Sequence, residues 1–425
     1  MDARQLPARP NLEQYKKQAK EIVKAWNGDE KALRKINELY AHYGRELTPE
    51  EFREKVKQRY RPLTRSQFEE DNFTLANAQF LLAREHAFDS WPKFAAHIET
   101  LNEENSPVAK FEAAADAIAG GDAKKLGRLL RENPELIRQR SDREHRSTLL
   151  HYVSANGIED FRQVTPTNIL EITKILLDAG AEVNAESDAY GGGSTTLGLT
   201  GTSAHPRGTG VQNELLEVLL NAGAQIDAPA AGGNEQSAVR GSLANGCPEA
   251  AEYLAAHGAR LDLVGAAGIG RLDVVKSFFD EQNLTKEQAE EALLYASGYG
   301  QRAVVEFLLD PELGGVDIQA ADNAKQTALH WALFTPQPEI IELLLRRGAR
   351  PDAVNVYGGD ALGQALWSLT NNDNAADFPR AIEILLAAGA EIEEGTIAWL
   401  RRQPKPSDEV KAKVEEILRR FGAES

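Results

Sequence analysis

Residues 190–208 contain the side chains in this sequence best suited to chemistry at neutral pH. They comprise Tyr190, the glycines Gly191, Gly192 and Gly193, Ser194 and His205. The backbone N–H groups of a glycine run can point at one ligand and accept an anionic or carbonyl group. A histidine near a hydroxyl or a bound water can act as a general base. The pattern therefore predicts either a polar ligand site, with His205 as base and Ser194 or water as nucleophile, or a plain turned loop.

A second polar group occupies an irregular stretch upstream of the glycine run. It consists of Tyr152, Asp160 and Arg162. Arg240 is a further candidate, in the run Ser237-Ala238-Val239-Arg240. Departures from a local pattern tend to gather at functional sites. We therefore expect the ligand or partner on residues 142–245, where these side chains form one polar site if the loops reach the same face.

Metal and cofactor chemistry have no signature in this sequence. There are eight histidines and one cysteine, without an H-E-x-x-H motif or a Cys–His pair at ligand spacing. Cys247 either is a reactive thiol at a helix start or fills a small buried position. We expect no metal and no cofactor.

The charge is distributed unevenly along the 425 residues. Acidic and basic residues balance over 1–105, so residues 106–425 carry the whole net charge of −17. Such a potential repels phosphate backbones and anionic lipid and favours a basic partner segment, or it serves solubility alone. No apolar run is long enough to span a bilayer, and the start lacks a signal-peptide pattern. We expect a cytoplasmic protein that binds neither nucleic acid nor membrane.

A phrase repeated along the chain indicates how these residues are positioned. Apolar residues precede a Gly-Ala pair and a β-branched residue, and the pair recurs at Gly180, Gly223, Gly258, Gly348 and Gly389. A shorter phrase precedes it, best preserved as Thr327-Ala328-Leu329-His330-Trp331-Ala332. The phrase order and a period near ~33 residues resemble ankyrin repeats. Residues 82–93 resemble a segment at the front of many bacterial ankyrin-repeat proteins, which implies a bacterial origin.

The resemblance implies an all-α ankyrin-repeat solenoid with an N-terminal helical capping module. We assign 1–105 to that module, 106–394 to seven or eight repeats with insertions, and 395–425 to a C-terminal helical cap. Fingers and inner-helix ends line a concave groove in such repeats. His151 and His330, in the fourth position of the shorter phrase, are expected to fasten each finger to its helix.

The function predicted from these features is a binding scaffold. Its groove presents a surface to a protein or peptide, with a basic segment as the expected chemistry. The alternative is a small-molecule binding protein or an enzyme that holds a small polar ligand around Tyr190 and His205.

Overall fold

The computed structural model describes residues 3–7, 9–40, 47–60, 73–103, 105–227, 237–281, 284–372 and 374–423. Contacts divide the chain into two compact units, Met1–Glu235 and Gln236–Ser425. Both units consist of short helices joined by turns, and the predicted all-α fold class is confirmed with one small hairpin in addition. The front module and the first repeats therefore share one unit, while the three-part division drawn from the sequence stays a prediction.

The front module contains five helices, and polar caps set the start of several of them. Asn11 accepts a hydrogen bond from the Glu13 N–H, and Thr48 and Glu51 cap each other's backbone, which satisfies N–H groups that a helix leaves free. The helices are α1 (Leu12–Trp26), α2 (Glu30–Tyr40), α3 (Pro49–Tyr60), α4 (Leu75–Glu85) and α5 (Trp91–Leu101). Their apolar faces enclose a core around Ile22, Phe52 and Leu82.

The rest of the first unit contains the first helix pairs and the hairpin. Its α-helices are α6 (Pro107–Ala119), α7 (Ala123–Glu132), α8 (Ile169–Asp178), α9 (Thr196–Gly201), α10 (Ala204–Gly208) and α11 (Gln212–Asn221). Short 3-10 helices lie at Pro134–Arg138, Leu149–Ser154, Asp160–Arg162 and Ala189–Gly191, and strands β1 (Glu186–Ser187) and β2 (Ser194–Thr195) pair antiparallel. Residues 149–154, upstream of α8, thus form a single 3-10 segment.

The second unit is a more regular succession of helices. They are α12 (Ala238–Ala244), α13 (Pro248–Ala256), α14 (Leu263–Gly268), α15 (Leu272–Asp280), α16 (Lys286–Gly298), α17 (Arg302–Leu308), α18 (Ala328–Trp331), α19 (Pro338–Arg346), α20 (Ala361–Asn371), α21 (Phe378–Ala387), α22 (Thr396–Arg402) and α23 (Asp408–Arg420). One apolar core runs from Leu263 through Leu329 and Leu344 to Leu418. Small residues such as Ala267 are fully buried where neighbouring helices approach.

The glycines of the repeated phrase end helices in the left-handed conformation. Gly180 has φ +89°, Gly223, Gly258 and Gly348 have φ +91°, and Gly389 has φ +92°. A side chain is strained at such angles, so glycine is the residue that turns the chain into the next finger at least cost.

The two histidines of the shorter phrase fasten fingers as expected. His151 Nδ1 accepts from the Thr148 backbone N–H at 3.1 Å, and Nε2 donates to the Ser194 carbonyl at 3.2 Å. His330 makes the same pair of contacts, with the Thr327 N–H at 3.2 Å and the Gly359 carbonyl at 3.3 Å. Burial lowers the pKa of His151 to about 4, which keeps the ring neutral and able to play both roles.

Candidate functional site

The glycine run forms the exposed tip of the β1–β2 hairpin. Tyr190 and the three glycines that follow all have positive φ, at +53°, +97°, +103° and +68° in order. Tyr190 is 71% exposed, yet its hydroxyl donates to Asn156 Oδ1 at 2.6 Å. The Ser194 hydroxyl donates to the Ala189 carbonyl at 2.8 Å and closes the loop internally. The tip is thus an ordered turn with one exposed aromatic side chain.

His205 lies apart from the hairpin tip in the hydrogen-bond network. It is exposed on α10, and in the described part of the chain its ring makes no hydrogen bond or ion pair with the hairpin. The proposed pairing of His205 with Ser194 as base and nucleophile has no contact in its favour, and it stays a prediction. Asn156, not singled out in the sequence, is the residue that orients Tyr190.

Four of the charged side chains buried in the first unit contact one another, and we call them the ionic cluster: Glu112, Arg143, Glu159 and Arg162. Arg143 pairs with Glu112 at 2.9 Å and also contacts Glu159. Arg162 pairs with the same carboxylates, at 2.8 Å from Glu112 Oε2 and 3.3 Å from Glu159 Oε1. Exposed fractions are 7%, 1%, 0% and 4% in chain order. The four groups therefore form a closed square of alternating charge inside the protein.

The cluster stays ionised because each charge faces two opposite charges. Burial opposes ionisation of Glu159, but Arg143 is the strongest of the neighbours that hold its pKa well below the ordinary value. The Tyr152 hydroxyl reaches Glu159 Oε1 at 3.4 Å, and burial raises the pKa of this tyrosine well above its usual value. The sequence expectation that Tyr152 and Arg162 line a surface groove needs correction, because the structure buries both against the cluster.

The cluster also connects the front module with the first repeats. Arg143 Nη1 donates to the His86 carbonyl at 3.1 Å, and the Glu144 N–H donates to the Ala87 carbonyl at 2.8 Å. The Arg143 guanidinium lies 5.2 Å from the centroid of the Phe88 ring. The polar residues that the sequence assigned to a binding surface therefore include some that join the front module to the first repeats.

The remaining predicted residues have structural partners. Asp160 Oδ1 accepts from the Ala3 N–H at 2.9 Å and so holds the N-terminal segment. Arg240 belongs to the second unit, where its side chain pairs with Glu291 beside Tyr295. Cys247 is fully buried, in agreement with its reading as a small core residue.

The second unit contains a cavity of about 650 Å³ that we call the aromatic pocket. Its walls come from the fingers before α18, α20 and α22, from the turn after α18 and from α20 itself. The lining residues are Gln326, Phe334, Asn355, Tyr357, Gly358, Gly359, Asp360, Leu362, Gly363, Gln364, Leu366, Trp367, Glu391, Glu393 and Thr396. Tyr357 and Trp367 are 81% and 53% exposed, which is unusual for such large apolar rings.

The backbone around the aromatic pocket fixes its walls. Buried Asn355 accepts from the Tyr357 N–H at 2.9 Å and from the Gly359 N–H at 3.1 Å. The neighbouring Val356 N–H donates to the Ala324 carbonyl of the preceding finger at 2.9 Å. Asp360 then caps α20 through the Gly363 N–H at 2.8 Å. The exposed ring of Tyr357 is thus mounted on a hydrogen-bonded turn.

The ionisable groups of the aromatic pocket are all acidic. They are Asp360, Glu391 and Glu393, and no lysine or arginine is found among the described residues that line the cavity. Elsewhere in the described part of the chain, no cation forms an ion pair with Glu391 or Glu393. Sequence reasoning missed this site because it looked for departures from the repeat phrase and therefore placed the ligand or partner on residues 142–245. The available signal was Tyr357 and Trp367 at finger and helix positions that the phrase leaves open.

Neither a metal site nor a membrane-spanning helix is found among the described residues. No group of three or more His, Cys, Asp or Glu side chains is placed there to hold a metal ion. None of the helices in those ranges has the length and apolar character needed to cross a membrane.

A family model described as ankyrin repeats, in three copies, matches residues 263–355. Two curated proteins are similar over part of the chain. The BTB/POZ domain and ankyrin repeat-containing protein NPR1 of Malus hupehensis is 36% identical over 91 residues, which cover 21% of this chain and 15% of the relative. The E3 ubiquitin-protein ligase hecd-1 of Caenorhabditis elegans is 30% identical over 94 residues, covering 22% and 3%. These plant and nematode relatives do not confirm the expected bacterial origin.

Two ankyrin repeat domains are among the solved structures to which this chain is similar. The human ASB11 ankyrin repeat domain has 20% identity and a TM-score of 0.35, covering 66% of this chain and 99% of that one. The ankyrin repeat domain of Bcl-3 has 18% identity and a TM-score of 0.31, covering 64% and 97%.

Proposed function

We propose that this chain is a binding scaffold whose ankyrin repeats hold a protein partner through fingers and adjacent helix ends. Ankyrin repeats commonly mediate protein–protein interaction, and stacked repeats present extended binding surfaces. The chain spans only a small part of the length of its curated relatives, so their domains supply no activity for this one.

The observation that carries the proposal is the aromatic pocket. Tyr357 and Trp367 remain exposed although the second unit buries a long apolar core beneath them. Exposed aromatic side chains next to a cavity are typical of protein interaction sites, where tyrosine and tryptophan supply much of the binding energy. Cytoplasmic action with a protein partner is the form of this function that the sequence predicts.

A second location is the hairpin face around Tyr190, Gly191–Gly193, Ser194 and His205, favoured by the exposed Tyr190 ring and His205. A small polar ligand or a reaction at that face remains the alternative drawn from the sequence. The internal hydrogen bond of the Ser194 hydroxyl gives that alternative no added support.

The test is cross-linked affinity purification of the full chain from its source cells, followed by hydrogen exchange with the purified partner. We expect a saturable protein partner whose binding protects repeat residues. The absence of any such partner, together with a metabolite that raises the melting temperature, would overturn the scaffold function. Protection at 142–227 rather than 326–396 would place the partner on the hairpin face.

A further inference from the structure

We infer that the aromatic pocket receives a linear peptide segment of the partner in which an arginine or lysine is flanked by apolar side chains. The inference rests on the proposed function and adds the chemistry of the occupant. It follows from the size of the cavity, the character of its walls and the charges at its rim.

The size of the aromatic pocket suits a few side chains. A volume of about 650 Å³ lies within the usual range for cavities that enclose one small ligand or several neighbouring side chains. A folded domain cannot enter such a space, but an extended segment can place alternate side chains in it. The walls come from several fingers and one helix, so a segment lying across the cavity contacts more than one finger.

The apolar walls supply the affinity. Trp367 on α20 and Tyr357 on the finger turn present rings to solvent, and Leu362 and Leu366 are buried between helix and core. Covering exposed aromatic surface removes apolar area from water, which stabilises a complex. This favours apolar side chains in the bound segment.

The rim supplies the preference for a cation. Glu391 and Glu393 are exposed, carry no ion pair among the described residues, and line the same cavity as the two exposed rings. A guanidinium or ammonium group can lie over an aromatic face while its N–H groups reach a carboxylate. An acidic side chain would meet the carboxylates Asp360, Glu391 and Glu393 without a compensating positive charge on the lining. Charge complementarity therefore selects a basic residue.

The experiment selects short linear peptides from a random phage-displayed library on the immobilised full chain, with counter-selection on Trp367→Ala. Trp367 is exposed, so this variant should remain folded, which circular dichroism checks. We expect enriched peptides that share an arginine or lysine next to apolar residues. A selected peptide labelled with fluorescein should then bind in solution, and hydrogen exchange should show protection within 326–396.

The charge term is tested with Glu391→Gln/Glu393→Gln and its matched control, Glu394→Gln. Glu394 is exposed and adjacent but does not line the cavity. The double variant should weaken the basic peptide by roughly tenfold or more and reduce its salt dependence, while the control should bind as the parent does. A peptide with norleucine in place of the basic residue should lose this difference.

Five results would overturn the inference, four of them from the experiments above and one from competition with a free cation. The four are equal enrichment on the parent and Trp367→Ala, selected peptides without a basic residue, equal affinity of the double variant, and self-association of the chain through Trp367. Equal competition by free argininamide would show a small-cation site instead of a peptide site. If the inference fails while a protein partner still protects other repeat residues, the scaffold function stands and only the occupant of the aromatic pocket is wrong.

Discussion

The two units use charged and aromatic residues in opposite ways. In the first unit, the ionic cluster buries arginine and glutamate side chains that would ordinarily lie at the surface. In the second unit, the aromatic pocket exposes tyrosine and tryptophan side chains that would ordinarily be buried. A departure from the repeat phrase in the first unit thus serves packing. The second unit follows the phrase more regularly, and yet it carries the clearer binding surface.

The comparison shows why sequence irregularity alone is a weak guide to a binding face. Repeat phrases specify helix ends, finger turns and interlocking small residues, and they leave the exposed finger positions free. Function can therefore change at those positions without any break in the pattern. An insertion, in contrast, must satisfy its own polar groups, and burying them in a paired cluster is one way to do so.

Among the substitutions that test this comparison, the largest loss of stability is expected at the ionic cluster. Arg143→Met leaves Glu112 and Glu159 with one guanidinium fewer in a buried site, and removing one partner of a buried pair typically costs about 3–5 kcal/mol. We expect this loss in the first unit, measured by denaturant unfolding with hydrogen exchange read separately in each unit.

The matched control for this variant is Arg380→Met in the second unit. Arg380 pairs with Glu339 at 2.9 Å, but both side chains are more than half exposed. Exposed pairs contribute about 0–1 kcal/mol. Equal losses for the two variants would show that the cluster is not the strong buried network described above.

Acid should destabilise the first unit through its buried neutral histidines. Burial lowers the pKa of His86 and of His151 to about 4, against an unfolded value near 6.5. The unfolded chain therefore binds more protons, so the free energy of unfolding falls as pH decreases from 6.5 to about 4. At the lower end of this pH interval, each histidine should lower the free energy of unfolding by an amount on the order of a few kcal/mol. Urea titrations across this interval measure the loss.

Two variants separate the histidines from the carboxylates. His151→Gln can keep an acceptor for the Thr148 N–H and a donor for the Ser194 carbonyl without titrating, so the slope between pH 6.5 and 4 should decrease. His330→Gln is the counterpart in the second unit, where burial also lowers the pKa. Glu159 has a lowered pKa, so its stabilisation is lost only below about 4.5. An unchanged slope for His151→Gln would contradict the assignment.

A smaller and equal effect is expected at the helix-ending glycines of both units. A Cβ added at Gly180 or Gly348 meets no atom within 4 Å, so backbone strain at φ +89° and +91° is the main cost of Gly180→Val and Gly348→Val, about 1–3 kcal/mol each. Gly208→Val is the control, because Gly208 also faces open space but has no positive φ. Thermal melts should show losses at the first two positions and little at the third.

The repeat architecture could be read from the sequence because it depends on local residues. A glycine that must adopt positive φ and a histidine that must bridge Thr327 to the next finger are fixed by backbone geometry that recurs in each repeat. The 3-10 segment at Leu149–Ser154 was not predictable in the same way. Its Tyr152 is buried against Glu159, which Arg162 links to distant Glu112, and no local pattern specifies such long-range contacts.

The candidate site was harder to predict for the same physical reason. Arginines such as Arg143 and Arg162 usually lie at the surface, and only their pairing with distant Glu112 explains why these two are buried. Tryptophan is usually well buried, and only the face of α20 on which Trp367 lies explains why it is exposed. Residue type indicates which interactions a side chain can make, whereas tertiary packing decides whether a partner can reach that side chain.

The smallest effects on stability are expected at the exposed tyrosines of the two fingers, and they sharpen the comparison most. Tyr190→Ser loses one exposed hydrogen bond to Asn156, and Tyr357→Ser leaves the Asn355 turn intact, so each should change the free energy of unfolding by about 0.5 kcal/mol or less. Binding should distinguish them: Tyr357→Ser removes an aromatic wall and should weaken a selected basic peptide, while Tyr190→Ser should leave its affinity unchanged. Fluorescence anisotropy with both variants measures the difference. Weaker binding by Tyr190→Ser alone would move the binding face to the hairpin of the first unit, because the two substitutions remove the same ring from equally exposed turns.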